Sequence, residues 1–121
     1  MILLVALGVL FSCVQTNFAQ VRTGGYKQIP ITDTGAVAAA EYAVNAQSEK
    51  EELEITLDTV VKAERQVVAG TNYKLCLQTF VLNPDEEVEE VEERFVQAVI
   101  FKSLKNEYTI KSWVETESCG E

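Results

Sequence analysis

Two hydrophobic periods divide the chain. From residue 53 onward apolar and polar side chains alternate in runs, the repeat of β-strands with one face buried. Leu53 to Val68 is the first run, with Leu53, Ile55, Leu57, Thr59, Val61, Ala63 and Arg65 on one parity. Gly70 breaks it, and Thr71 to Leu82 resumes with Tyr73, Leu75, Leu77 and Thr79 on one face. So short a break predicts an antiparallel hairpin. Arg94 to Leu104 forms a third run, with Phe95, Gln97, Val99 and Phe101 on one side and Val96, Ala98 and Ile100 on the other. Lys105 to Glu107 turns the chain, and Tyr108 to Thr116 closes the sheet.

Ahead of these runs the period changes. Ala36 to Gln47 is rich in alanine, the best helix former, with Val37, Ala40, Val44 and Gln47 at helical spacing. Ala39, Tyr42 and Ala43 widen that face, Thr32 or Asp33 can cap it, and Ser48 to Glu52 makes a charged exit. Tyr26 to Ile31 predicts a short strand, limited by Pro30 to a sheet edge or end. One helix and about five strands make an α+β fold, an antiparallel sheet wrapped around the helix.

The 121 residues suit one domain, preceded by a segment of another kind. Met1 to Ala19 has an apolar run, Ile2 to Phe11, followed by small and polar residues, and reads as a secretory signal peptide without the usual basic start. Residues 20–121 are the expected mature domain, secreted to the extracellular space. Its net charge of −9 argues against nucleic acid and against an anionic membrane surface. Cys13 falls in the leader. Cys76 and Cys119 remain, and in an oxidising compartment they suit one disulfide; two free thiols or an intermolecular bond are the alternatives.

The chain has no histidine, which removes the usual general base, the usual metal ligand and every His-based triad. No Cys/His metal spacing and no phosphate-cradling glycine loop occurs. The acidic tract Asn83 to Glu93 lacks the spacing of a calcium loop and reads as a solvated turn. An enzyme is not expected, nor a cofactor or metal.

Between the first two strand runs lies Gln66-Val67-Val68-Ala69-Gly70. Hairpin tips normally carry Asn, Asp, Gly or Ser, so valines here point to a partner contact, unless they simply continue the strand. The pentapeptide is similar to the Gln-x-Val-x-Gly motif of the cystatins. Its flanks, Val60 to Arg65 and Thr71 to Tyr73, resemble the same region of that family. Ala40-Glu41-Tyr42-Ala43-Val44-Asn45 resembles the helix of the plant members, and Gly24-Gly25 the N-terminal glycine.

The resemblance implies a reversible, competitive inhibitor of papain-like cysteine proteases such as papain and cathepsins L, B and H. It would act by a three-part wedge: an arm with Thr23, Gly24 and Gly25; a first loop of Gln66, Val67, Val68, Ala69 and Gly70; and a second loop with Ser103 and Leu104 beside Lys105. Gly70 would allow close backbone approach, and Gly70→Trp would abolish inhibition with the fold intact. Leu104 stands where the common pattern has Pro-Trp, closer to the Leu-Pro tip of the stefins. Trp113 lies inside the last strand and is not assigned to the wedge. Ser48-Glu49-Lys50 lacks the asparagine that the resemblance would require for legumain inhibition. The resemblance further implies a monomer, with a dimer swapped through the first hairpin as the other state. A secreted protein of this fold without inhibitory activity, serving defence, venom or transport, is the rival reading.

Overall fold

A computed structural model describes residues 25–87 and 90–119. The expected leader, the arm residues Thr23 and Gly24 and positions 88, 89, 120 and 121 lie outside the described residues. The elements are β1 (Lys27–Gln28), α1 (Thr34–Glu51), β2 (Glu54–Val68), β3 (Gly70–Leu82), β4 (Val91–Lys102) and β5 (Tyr108–Thr116). Among the described residues the strands form one antiparallel sheet in the order β1-β2-β3-β4-β5, with α1 across one face.

The core is built where the two periods meet. Tyr73, Leu75, Leu77, Thr79 and Val81 of β3 and Val96, Ala98 and Ile100 of β4 are buried towards the helix. The helix answers with Ala36, Ala39, Ala40, Ala43, Val44 and Gln47. This face is rotated from the expected one: Val37 is half-buried, and Tyr42 reaches the rim, where its ring stacks on Tyr108 at 5.0 Å. Alanines let the helix backbone lie close to the sheet. At Gly35 a Cβ would collide with the Tyr73 hydroxyl, so this glycine is a condition of that approach.

Both helix ends are capped by neighbouring sequence. Asp33 Oδ2 accepts from Ala36 N at 3.0 Å, an N-cap. The charged exit Ser48 to Glu51 is helical after all, with Lys50 in the last turn facing the negative end of the dipole. Glu52 takes the left-handed conformation (φ 57°), and Ser48 Oγ donates to Leu53 O and accepts from Ile55 N, turning the chain into β2.

Strict alternation fails along β2. The β2–β3 register skips Asp58 and Val61, two bulges. The inward set therefore runs Ile55, Val60, Ala63, and Val61, expected on the same face as Ala63, is exposed. Bulges bend and twist a strand, which lets 15 residues curl around the helix. The expected strand at 26–31 shrinks to two paired residues, because Pro30 has no N–H to donate and the chain must turn to the helix. By contrast β4 starts early, at Val91, taking in part of the acidic tract. There Glu92 and Glu115 hold Arg94, and Gln78 donates to Glu93.

Cys76 has the opposite parity to Leu75 and Leu77 and faces away from the helix. It is joined to Cys119, with Cα atoms 5.7 Å apart. Cys76, Gln97 and Val114 are successive partners across β3, β4 and β5. The segment after β5 must therefore fold back across β4 to reach β3, and Gln97 and Val114 stay exposed on that outer face.

Candidate functional site

The strand register brings three segments to one end of the sheet. Val67 pairs with Thr71, Thr71 with Lys102, and Lys102 with Tyr108. Lys27 pairs with Arg65, and continuing that register by two residues sets Gly25 level with Val67. Gly25, the β2–β3 tip and the β4–β5 turn thus share an edge. At a strand spacing of about 4.8 Å it is about 14 Å from β1 to β4.

The first tip is tight. Val68 pairs with Gly70, so Ala69 is the one residue outside the ladder between them. Val67 is 67% exposed, and Val68 and Ala69 are exposed as well. Gly70 is different. It is buried with φ +113°, and a Cβ there would come within 2.6 Å of the Lys102 carbonyl oxygen and 2.7 Å of the Phe101 ring. The close approach expected of this glycine is made to the chain's own β4. The expectation that Gly70→Trp leaves the fold intact is accordingly corrected. Half-buried Gln66 accepts from Asn72 Nδ2 at 3.0 Å through its Oε1.

The second tip is held by its own serine. Ser103 Oγ accepts from Lys105 N and Glu107 N, both at 3.1 Å. Ser103 N donates to Glu107 O at 2.8 Å, and Asn106 turns the chain with φ 67°. The Ser103 hydroxyl is therefore turned to the backbone, while Leu104 projects, 79% exposed. Trp113 lies opposite Ala98, packed against the core and away from this edge.

Beneath the edge lies a frame that pattern reading did not single out. Arg65 Nη1 lies 3.7 Å from Asp33 Oδ1, tying the helix cap to β2 one residue before Gln66. Phe101 props Gly70 from the side. On the outer face Lys74 lies over the Tyr26 ring at 5.1 Å. Desolvation first, and the Glu64 charge second, push the Tyr26 phenol above its ordinary pKa. Lys27, Lys102 and Lys105 also reach the edge. Their signal in the sequence was their register position, legible only once the strand pairing is known.

Among the described residues no group of three or more His, Cys, Asp or Glu side chains could hold a metal ion. No helix there is long and apolar enough to cross a membrane. What the edge offers is a row of exposed aliphatic groups on two stiff hairpins.

Residues 29–113 match a family model described as aspartic acid proteinase inhibitor. Over 58 residues the chain is 41% identical to cysteine proteinase inhibitor 5 of Arabidopsis thaliana, covering 47% of this chain and 48% of that protein. The chain thus matches about half the length of this curated relative. Among solved structures, a salivary cystatin from the soft tick Ornithodoros moubata aligns with a TM-score of 0.64 at 26% identity, over 78% of this chain and 98% of that one. Mialostatin, a gut cystatin from the hard tick Ixodes ricinus, aligns with a TM-score of 0.62 at 25% identity, over 76% and 97%.

Proposed function

Because the chain belongs to the cystatin family, and to the family described as aspartic acid proteinase inhibitors, we propose that it is a reversible, competitive inhibitor of papain-like cysteine proteases. Its relatives are proteinase inhibitors, not enzymes. The observation that carries the reading is the placement of exposed Val67, Val68 and Leu104 on two hairpin tips at one sheet end. Aliphatic groups at a tip have no core to enter, so their burial is left for a partner.

In this reading the edge enters the substrate cleft and occludes it. Gln66 to Gly70 lies over the catalytic cysteine, Leu104 docks to one side, and the arm at Thr23, Gly24 and Gly25 runs into the other. A pair of tips held by paired strands loses little freedom on docking. An interface of standard size buries about 800 Å² on each partner. Each aliphatic tip residue contributes about 1–2 kcal/mol at ~25 cal/mol per Å² buried.

We further propose that Met1 to Ala19 is removed on secretion and that the mature monomer begins near Gln20. The Cys76–Cys119 bond supports an oxidising destination. Mass spectrometry of the secreted product tests the cleavage point, and size-exclusion chromatography tests the monomer.

The deciding experiment is a titration of active-site-counted papain and cathepsin L with residues 20–121. Competitive loss of activity, with the inhibitor recovered uncut, is expected. Full protease activity in the presence of excess folded chain overturns the reading. The family description favours a second target class, so a pepsin-like aspartic protease belongs in the same titration. Inhibition of that enzyme alone would reassign the edge to it.

A further inference from the structure

The net charge of −9 suggests a molecule repelled by any acidic partner, but the charge is not spread evenly. Among the described residues the loop edge holds Lys27, Arg65, Lys102 and Lys105 against Asp33 and Glu107. Asp33 is already engaged, capping α1 and pairing with Arg65. Lys102 Nζ sits over the Tyr108 ring at 5.9 Å, and Lys27 and Lys105 are exposed.

The opposite end is the reverse. The helix exit at 49–54, residues 85–87 and 90–93 of the acidic tract and the end of β5 lie there, and among the described residues only Lys50 and Arg94 oppose them. Arg94 is consumed by Glu92 at 3.1 Å and Glu115 at 2.6 Å. Between the two ends, Glu64 lies 3.9 Å from Lys62 and 4.0 Å from Lys74, one carboxylate shared by two ammonium groups, so the acidic charge does not extend into this band.

The 13 residues of β3 separate the ends by about 40 Å at ~3.3 Å per residue. At physiological salt the Debye length is about 8 Å, so a partner at the loop edge is roughly five screening lengths from the acidic end. It meets a locally positive surface on a molecule that is negative overall.

We propose that the loop edge is a cationic docking face, matched to proteases whose cleft rim carries carboxylates, and that the acidic end takes no part in the encounter. This rests on the occlusion reading above and adds the chemistry of the preferred partner. Rim charges act mainly on association rate and its salt dependence.

The test uses residues 20–121 and two forms of one papain-like protease: one with carboxylates on its cleft rim, and one with those carboxylates replaced by lysine. Stopped-flow association is measured for the unaltered chain, for Lys27→Glu with Lys105→Glu, and for Glu86→Lys with Glu87→Lys. Thermal melting establishes that each variant is folded. The edge variant is expected to associate about tenfold more slowly with the acidic-rimmed enzyme at 0.05 M salt, the gap closing to under twofold at 0.5 M. It should gain on the lysine-rimmed form. The far-end variant should stay within twofold of the unaltered chain at 0.15 M salt. Inhibition by the unaltered chain, with the edge variant associating as fast or faster on the acidic rim, overturns the charge assignment and leaves occlusion standing. A far-end variant that accelerates association at 0.15 M overturns the claim that this end is silent. No inhibition by the unaltered chain overturns both readings.

Discussion

Replacing Gly70 by alanine tests whether the first hairpin is held from below or merely by its own turn. One methyl group is added at a buried position with φ +113°, a region that L-residues rarely enter, at a cost of about 1–3 kcal/mol. The new Cβ also meets the Lys102 carbonyl oxygen at 2.6 Å and the Phe101 ring at 2.7 Å. A ring can tilt, but the carbonyl belongs to the Thr71–Lys102 ladder and moves only with its strand. Overpacking of this kind costs about 1–3 kcal/mol more. The total, about 2–6 kcal/mol, is a large share of the ~5–15 kcal/mol that holds a domain of this size folded. At about 4–8 °C per kcal/mol the melting temperature should fall by roughly 8–48 °C, read by far-ultraviolet circular dichroism. Ala69→Ser, one residue away and exposed, should melt within a degree or two of the parent. In a double-mutant cycle, Phe101→Ala should relieve the ring contact and recover about 1 kcal/mol, leaving the carbonyl clash. A Gly70→Ala protein melting within 2 °C of the parent would refute the buttress.

Val67→Asp should leave the melting temperature unchanged, since the side chain is exposed, yet weaken protease inhibition at least ~30-fold, the equivalent of about 2 kcal/mol of lost burial; equal inhibition constants would remove this tip from the contact. Replacing Cys76 and Cys119 together by serine releases a closure of 43 residues, worth about 4 kcal/mol by chain entropy. The urea midpoint should drop accordingly, and a reductant should lower it in the parent but not in the variant. Asp33→Ala removes the helix cap and the partner of Arg65 and should cost about 1 kcal/mol, visible as a 4–8 °C lower melting temperature; no change would mean that another group supplies the cap.

Period and turn chemistry made the architecture legible: residues 108–116 pair as expected, and the β2–β3 hairpin closes at Ala69 and Gly70. What alternation could not reveal were the skips at Asp58 and Val61. A bulge leaves the hydrophobic count of a strand intact and changes only which side each later residue occupies. The helix face differs from the expected one for a related reason. In an alanine-rich helix small residues surround the axis, and packing against the sheet decided that Ala36 goes in and Tyr42 to the rim. Glu92 and Glu93 sit in β4 because Arg94 pairs with Glu92 and Gln78 donates to Glu93, with Glu115 of β5 holding the Arg94 guanidinium in place. At the edge, the exposed valines were legible from their rarity in turns. Gly70 was legible only as a glycine with a reason; that the reason is Phe101 and the Lys102 carbonyl, some thirty residues on, is tertiary information.

The braces under the loop edge are backbone hydrogen bonds, two glycines, a serine turned inward and side chains one layer down, while the side chains of Val67, Val68, Ala69, Leu104 and Lys105 are exposed. Those five positions are therefore free to drift. A lineage carrying this frame can change its quarry with a handful of codons, and a library randomised at those sites should yield stable inhibitors of many clefts from one parent.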